Sequence, residues 1–213
     1  MGAPHVRHFI VHTRRAGHVV ARPLNCGVSR TVVASAFTPP HLAIGEHVLR
    51  PFRRSDAADW CAYLADPRVT EHTSWPPITP ELITSLVDKT IADYDEMKSL
   101  RWALARTRDD KLIGSCGYPR WSAEQGSAEL AYDLAPTCWG FGLMSSAVRA
   151  AVTWALDTGS LNRVEAFVMT TNERSIAVLE RTGFKRGSVL KGFRVARGVP
   201  RDFYSYSVVA RAG

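Results

Sequence analysis

The stretch that most constrains the fold of this chain runs from Ala128 to Asp157 and reads AELAYDLAPTCWGFGLMSSAVRAAVTWALD. Apolar and polar residues alternate up to Leu134, which predicts a β-strand. Pro136 then ends the strand, because proline has no N–H for a ladder. Apolar residues recur at helical spacing from Leu143 to Leu156, and Gly159 is expected to cap that helix at its C-terminus. The stretch therefore predicts a strand, a glycine loop and a helix.

The loop between that strand and helix contains two glycines, Gly140 and Gly142. Glycines let the backbone approach a ligand closely, and the first turn of the helix offers unpaired N–H groups at its positive end. A phosphate or pyrophosphate suits such a site, and the alternative is a tight turn that needs two glycines for itself. A P-loop is excluded because the loop has no lysine. A Rossmann fingerprint fails because Ser145 stands where a third glycine is needed and the motif lies late in the chain.

Length and composition indicate one domain with an appendage, or at most two small domains, in 213 residues. No apolar run approaches the ~18 residues that cross a membrane. The cysteines form no CxxC pair and no Cys/His ligand spacing, which argues against a zinc site and against a disulfide framework; they are Cys26, Cys61, Cys116 and Cys138. We therefore predict a cytoplasmic protein with free thiols, no metal and no membrane partner.

The positive charge of the chain is concentrated near its N-terminus. The net charge is +7, but the first acidic residue is Glu46, and five arginines precede it. This charge distribution argues against nucleic-acid binding by the domain, because the remainder of the chain is close to neutral, and it leaves nucleic-acid binding through the basic N-terminal segment as an alternative. We predict that residues 1–45 form a poorly ordered basic extension and residues 46–213 the domain. A transit peptide, or translation from too early a start, would also explain the extension.

Periodicity and turn residues predict the order β-α-α-β-β-β-α-β-α-β-β for the domain. Ser55 and Thr79 are expected to cap the first two helices, and Trp75 lies on the loop between them. The strand after the glycine-loop helix is expected to run parallel to the strand before it. The predicted strands cover about residues 47–52, 101–106, 111–118, 128–134, 163–169, 184–195 and 202–209.

Four motifs resemble those of the GNAT acyltransferases. The glycine loop resembles the Gln/Arg-x-x-Gly-x-Gly/Ala loop of that superfamily, with Thr137 where Gln or Arg is usual. The segment 171–184 resembles the Asn-x-x-Ser/Ala…Gly-Phe segment after the fifth strand. Residues 74–77 and 201–207 resemble the substrate loop and the closing strand of the ribosomal-protein N-acetyltransferase branch. The resemblance covers about residues 47–211 and implies an α/β fold with a mixed sheet.

The resemblance implies acetyl-CoA as the co-substrate and assigns residues to bind it. Backbone groups near Leu134 would bind the pantetheine arm or the acetyl oxygen, because this family splays its fourth and fifth strands there. Asn172 would contact the pantetheine, serve as a helix N-cap, or do both. Trp139 is either a cofactor residue or a core aromatic. The N–H groups facing the pyrophosphate would come from Trp139, Gly140, Phe141, Gly142, Leu143 and Met144.

Acetyl transfer to an amine requires a neutral amine and a thiolate that can depart. Glu129 is the candidate base; the alternative is an ordinary solvated carboxylate. Ser175 is the candidate acid, and a water molecule or no acid at all is the alternative, because Leu179 stands where many relatives carry a tyrosine. The family transfers the acetyl group directly, so no nucleophilic cysteine is required. Trp75 would line the substrate pocket or cover the core.

The sequence therefore predicts an acetyl-CoA-dependent N-acetyltransferase, with a protein N-terminal α-amino group as the preferred acceptor. Acetylation of a small amine such as an aminoglycoside or a polyamine is the first alternative, and a non-catalytic acyl-CoA-binding module is the second. A homodimer through the C-terminal strand pair is a further expectation left open by the sequence.

Overall fold

The structure, a computed structural model, describes residues 37–96, 99–157 and 161–210, which contain eight strands and five α-helices. The eight described strands form one sheet in the order β1-β2-β3-β4-β5-β6-β8-β7. They are β1 (Leu42–Ile44), β2 (His47–Pro51), β3 (Leu100–Arg106), β4 (Leu112–Ser122), β5 (Ser127–Leu134), β6 (Arg163–Met169), β7 (Lys185–Ala196) and β8 (Val199–Val209). The helices are α1 (Asp56–Leu64), α2 (Pro67–Thr70), α3 (Pro80–Glu96), α4 (Leu143–Asp157) and α5 (Glu173–Arg181), and a 3-10 turn spans Pro136–Cys138.

The predicted α/β fold with a mixed sheet is confirmed. The structure adds three short elements that were not predicted: β1, α2 and the 3-10 turn. Strand β1 lies in the segment predicted to be an extension, and it pairs antiparallel with β2 through a turn at Gly45. Because β1 has three residues, it is too short to show the alternation of apolar and polar residues by which strands are predicted. The Trp102 indole N–H also donates to the carbonyl oxygen of Pro40 at 2.8 Å. The order of residues 1–36 stays a prediction, because they lie outside the described residues.

The N-terminus of α1 is held differently from the prediction. Ser55 lies at the N-cap position, as predicted, but its side chain makes no capping hydrogen bond. The carboxylate of Asp56 accepts instead from the backbone N–H of Arg53 at 2.7 Å and pairs with the buried guanidinium of Arg50. Thr79 is confirmed as the cap of α3, because its hydroxyl accepts from the N–H of Leu82 at 3.2 Å. The predicted C-cap Gly159 lies outside the described residues.

Two hydrophobic cores lie on opposite faces of the sheet. One core contains Trp102 of β3 and the inward face of α4, and Trp102 packs edge-on against Trp154. The other contains Ala103, the next residue of β3, together with Trp60 of α1 and Ile83 of α3. Neighbouring residues of one strand point to opposite faces, so the sheet separates α1 and α3 from α4. None of the described helices is long and apolar enough to span a bilayer.

The sheet opens between β5 and β6. These two strands pair in parallel only at Ser127–Arg163, Ala128–Val164 and Glu129–Glu165. Beyond Glu129, β5 stays paired with β4 as far as Leu134, while β6 stays paired with β8 as far as Met169. The parallel order and the splay implied by the family resemblance are both confirmed. The divergence leaves strand edges facing a gap in the middle of the sheet, and that gap is where a ligand can meet backbone N–H and C=O groups.

Candidate active site

A cleft of about 700 Å³ lies at the point where β5 and β6 diverge. Ten of the eleven predicted site residues line it: Trp75, Glu129, Leu134, Trp139, Gly140, Gly142, Leu143, Met144, Asn172 and Ser175. Phe141 does not line the cleft, because its side chain is 83% exposed and points away from the protein. Any contribution of Phe141 to the cleft would have to come from its backbone.

The glycine loop has the backbone conformation that its sequence predicts. Gly140 has φ +88° and Gly142 has φ +72°, the left-handed region that side-chain-bearing residues rarely adopt. A Cβ atom would meet no protein atom at either position, so the backbone angles, and not crowding, require glycine here. The N–H of Ser146 donates to Gly142 as the first bond of α4. The preceding N–H groups of the first turn therefore have no acceptor within the helix and face a region suited to an anion.

Leu134 presents backbone groups to the cleft. The N–H of the next residue, Ala135, donates to Ile113 of β4 at 2.8 Å. Backbone groups alternate between the two edges of a strand, so those of Leu134 point to the opposite edge, from which β6 has diverged. The Trp139 indole N–H donates to the Leu134 carbonyl oxygen at 2.9 Å. Trp139 also packs against the larger core, so it is both a core aromatic and a residue of the cleft.

Two arginines that the sequence did not single out contact the ring of Trp139. The guanidinium of Arg174, in the first turn of α5, lies 4.3 Å from the ring centroid, and that of Arg68, in α2, lies 5.9 Å away. Arg68 is also paired with Asp66, whereas Arg174 has no carboxylate partner within the described ranges. Thr137 stands where Gln or Arg is usual in the loop. Arg174 places a guanidinium against the ring of Trp139, the residue that precedes Gly140.

Ser175 is held between a tyrosine and a helix cap. The Ser175 hydroxyl lies 2.7 Å from the Tyr132 hydroxyl of β5. The backbone N–H of Ser175 donates to the side-chain oxygen of Asn172 at 3.1 Å, so Asn172 is an N-cap. Burial raises the pKa of Tyr132, so its hydroxyl keeps its proton well above neutral pH. The sequence placed Tyr132 on the strand but gave no sign that it reaches α5.

Glu129 is not a solvated carboxylate. Its side chain is 12% exposed, and its oxygens accept from Arg120 at 2.8 Å and from Arg194 at 2.9 Å and 3.0 Å. The Arg194 guanidinium in turn lies between 5.0 Å and 5.8 Å from the ring centroids of Phe167, Phe193 and Phe203. Glu129 is therefore fixed in the cleft by two cations, and an amine must compete with Arg194 to reach it.

The carboxylate of Asp133 organises the side of the cleft nearest to α1 and α3. It forms an ion pair with Arg101 and accepts from Tyr63, from the Trp60 indole N–H at 3.2 Å and from the Ser115 hydroxyl at 2.7 Å. Burial and the nearby Asp133 charge raise the pKa of Tyr63 well above its usual value. Trp75 packs edge-on against Trp60 at 5.7 Å, so it both covers the core and lines the cleft.

Neither a metal nor a cysteine nucleophile is indicated by the described geometry. No group of three His, Cys, Asp or Glu side chains among the described residues is arranged to hold a metal ion. Burial raises the pKa of the Cys116 thiol to about 12, so this residue is not a thiolate at neutral pH. Cys138 lines the cleft in the turn before the glycine loop.

Comparison with known proteins identifies the family. Residues 47–185 match the family described as "Acetyltransferase (GNAT) domain". An uncharacterized N-acetyltransferase p20 of Bacillus licheniformis is 32% identical over 164 residues, which cover 76% of this chain and 92% of that protein.

Two solved structures share the fold. One is a ribosomal L7/L12 alpha-N-protein acetyltransferase in complex with coenzyme A, with a TM-score of 0.75 and 17% identity over 80% of this chain and 98% of that one. The other is the microcin C7 self immunity acetyltransferase MccE in complex with acetyl-CoA and AMP, with a TM-score of 0.72 and 20% identity over 78% and 93%. Together with the cleft geometry, these matches show that the chain belongs to the GNAT family and is an N-acetyltransferase that uses acetyl-CoA.

Proposed function

We propose that this enzyme acetylates the α-amino group at the N-terminus of a protein. The charge of the cleft is the observation that carries this proposal. Among the described residues that line the cleft, two have acidic side chains, and both are paired with arginine. The arginines that line it are Arg68, Arg101, Arg174, Arg181 and Arg194. A site with this balance repels polycationic acceptors, which argues against aminoglycosides and polyamines.

The donor half of the cleft fits acetyl-CoA through groups that need no particular side chain. The free N–H groups at the start of α4 suit the pyrophosphate, and Arg174 adds a cation beside them. We propose that the backbone of Leu134 and the side chain of Asn172 bind the pantetheine arm. Asn172 can do this with its amide N–H groups, because its side-chain oxygen already accepts from Ser175.

The acceptor half fits an amine that needs little help to lose its proton. An α-amine has an ordinary pKa of about 7.7–8, so a good fraction is neutral near pH 8, whereas a lysine amine is almost fully charged. We propose that Glu129 receives the proton, directly or through a water molecule, and that Trp75 lines the path of the acceptor. The solved relative described as an alpha-N-protein acetyltransferase supports this class of acceptor.

The experiment that tests the proposal measures thiol release from acetyl-CoA with a free-N-terminus peptide, the same peptide with a blocked N-terminus, a polyamine and an aminoglycoside. We expect turnover with the free peptide alone. Turnover with a polycation and none with the peptide would contradict the proposal. Binding of acetyl-CoA without turnover of any acceptor would favour a non-catalytic module. A nucleotide-linked amine is a useful fifth acceptor, since one relative was solved with AMP.

The role of Glu129 is tested by Glu129→Gln, with Glu165→Gln as the matched control. Glu165 is the register partner of Glu129 on β6, but it pairs with Arg163 and does not line the cleft. We expect the Glu129 variant to lose about 100-fold in kcat at pH 7 and less at pH 9, where more of the amine is already neutral. An equal loss at both pH values would assign Glu129 to the positioning of Arg194 instead.

We propose that the protein forms a homodimer through the edge of the sheet that ends with β7. Strand β7 ends the sheet order, and β7 and β8 together expose Val189, Phe193, Val195 and Val199. Light scattering of the wild-type protein and of a Val195→Lys variant tests this, because a dimer formed through this edge would dissociate in the variant.

A further inference from the structure

We infer that Tyr132 is a positioning residue that turns the hydroxyl proton of Ser175 toward the departing sulfur of acetyl-CoA. The inference rests on the proposed role of Ser175 in the same reaction. The hydroxyl groups of Tyr132 and Ser175 are in contact, although the two residues are far apart in the sequence. Tyr132 lies in the second half of β5, and Ser175 lies in the first turn of α5. Both residues line the cleft.

The direction of the hydrogen bond between Tyr132 and Ser175 depends on which oxygen accepts the single proton of the Tyr132 hydroxyl. The Tyr132 hydroxyl has one proton and lies 2.7 Å from the Ser175 hydroxyl and 3.2 Å from the Ser175 carbonyl oxygen. That carbonyl belongs to α5, where helix geometry already supplies it with a backbone donor four residues later. The hydroxyl oxygen is closer and has no such donor. The Tyr132 hydroxyl is also within hydrogen-bond distance of the Ser175 carbonyl oxygen, and in the arrangement that we infer its proton lies on the closer Ser175 hydroxyl oxygen.

The proton of Ser175 is consequently free to point elsewhere. A serine in a helix often donates back to the carbonyl oxygen of the preceding turn, as Thr182 does to Val178 at 2.9 Å. Ser175 makes no such bond, and within the described ranges its hydroxyl contacts no oxygen other than that of Tyr132. Its proton can therefore turn into the cleft. Accepting a hydrogen bond from Tyr132 also makes Ser175 a stronger donor.

This arrangement stabilises the leaving group without consuming a proton from the protein. The bond from the amine nitrogen to the acetyl carbon forms, the carbon–sulfur bond breaks, and the electron pair leaves on sulfur. Ser175 donates a hydrogen bond to that sulfur while Tyr132 stays neutral, in keeping with the direction of its pKa. Glu129 receives the proton that the amine nitrogen loses and returns it to solvent, and the thiolate takes up one proton from solvent when coenzyme A is released, so charges and protons balance.

The first test uses coenzyme A and no acceptor, so it does not depend on which amine the enzyme acetylates. The ionisation of the bound thiol is followed by the ultraviolet absorbance of its thiolate as pH rises. We expect the pKa of the bound thiol to be higher by about one pKa unit in Ser175→Ala and by a smaller amount in Tyr132→Phe. Identical thiol titrations in wild type and Tyr132→Phe would overturn the inference.

The second test is a kinetic double-mutant cycle with the acceptor that the wild-type enzyme uses. Tyr132→Phe should lower kcat about fivefold, Ser175→Ala about tenfold, and the double variant no more than Ser175→Ala alone, with the KM for acetyl-CoA within about twofold throughout. Additive losses, or a wild-type kcat in Ser175→Ala, would overturn the inference. A wild-type enzyme that acetylates no amine while its thiol titration behaves as expected would contradict the proposed function alone.

Tyr118→Phe is the matched control for both tests. Tyr118 is a buried tyrosine on β4, and its hydroxyl donates to the Ala151 carbonyl oxygen at 2.8 Å away from the cleft. This variant loses a comparable buried hydrogen bond, so it should lose comparable stability while keeping kcat and the thiol titration of the wild type. A fall in kcat as large as that of Tyr132→Phe would mean that the losses reflect stability alone.

Discussion

The two halves of the cleft are built on different principles. The half that we propose binds the donor consists of the Gly140–Gly142 loop, the first turn of α4 and the edge of β5, and it offers mainly backbone groups. The acceptor half is built from side chains that meet from distant segments, above all Asp133 with Arg101 and Tyr63. A half built from backbone follows from local sequence and tolerates side-chain change except at the glycines whose backbone angles it needs. A half built from side chains depends on each partner.

The largest expected effect comes from Gly142→Glu in the donor half. The variant forces a side chain onto a left-handed backbone and places a carboxylate where the pyrophosphate is expected, so acetyl-CoA binding should weaken at least about 100-fold. Isothermal titration calorimetry measures it. Gly198→Glu is the control, because Gly198 has a similar φ of +77° in the turn between β7 and β8. Equal binding by both variants would mean that the loop does not hold the donor.

Asp133→Asn should show how strongly the acceptor half depends on one side chain. The change leaves the guanidinium of Arg101, whose side chain is 15% exposed, without its carboxylate. We expect the free energy of unfolding to fall by about 3 kcal/mol, measured by urea denaturation. Asp88→Asn, which removes the exposed ion pair with Arg54, is the control and should cost less than about 1 kcal/mol. Equal costs for the two variants would show that the Asp133 network does not stabilise the fold.

Arg174→Gln tests the one charged side chain assigned to the donor half. Removing the cation beside the glycine loop should raise the KM for acetyl-CoA about tenfold and leave kcat unchanged. The same variant should use acetyl-pantetheine, which lacks the pyrophosphate, as well as the wild type does. Arg149→Gln on the exposed face of α4 is the control. A loss that persists with acetyl-pantetheine would place Arg174 away from the phosphates.

The smallest effect is expected for Phe141→Ala, although this residue lies between the two glycines. Its side chain is almost fully exposed, so only its backbone can serve the donor. The KM for acetyl-CoA should therefore change by less than about twofold, measured by steady-state kinetics, because a backbone N–H is the same in both residues. A tenfold change would mean that the Phe141 ring folds onto the bound donor.

Short-range sequence patterns specify the frame of the molecule and the half of the cleft that we propose binds the donor. Alternation up to Leu134, the block at Pro136 and the two glycines act over a few residues, so they specify strand, loop and helix without reference to the rest of the chain. The Asn172 cap of α5 is equally local, because a side chain and an N–H three residues later form it. The local pattern did not predict the contacts of the α1 N-terminus. Ser55 makes no capping hydrogen bond, and Asp56 forms an ion pair with Arg50, a residue of the neighbouring strand.

The set of side chains that meet in the cleft depends on contacts between distant parts of the chain. The tertiary structure pairs Glu129 with Arg194, places Tyr132 against Ser175, and brings Arg174 onto the ring of Trp139. These contacts join residues far apart in the chain, and their geometry depends on where β5 and β6 cease to pair. The family resemblance predicted that these strands diverge, but neither the apolar period nor the turn residues specify which side chains then meet across the gap. The sequence could therefore predict a glutamate in the cleft, but not the two arginines that bind it.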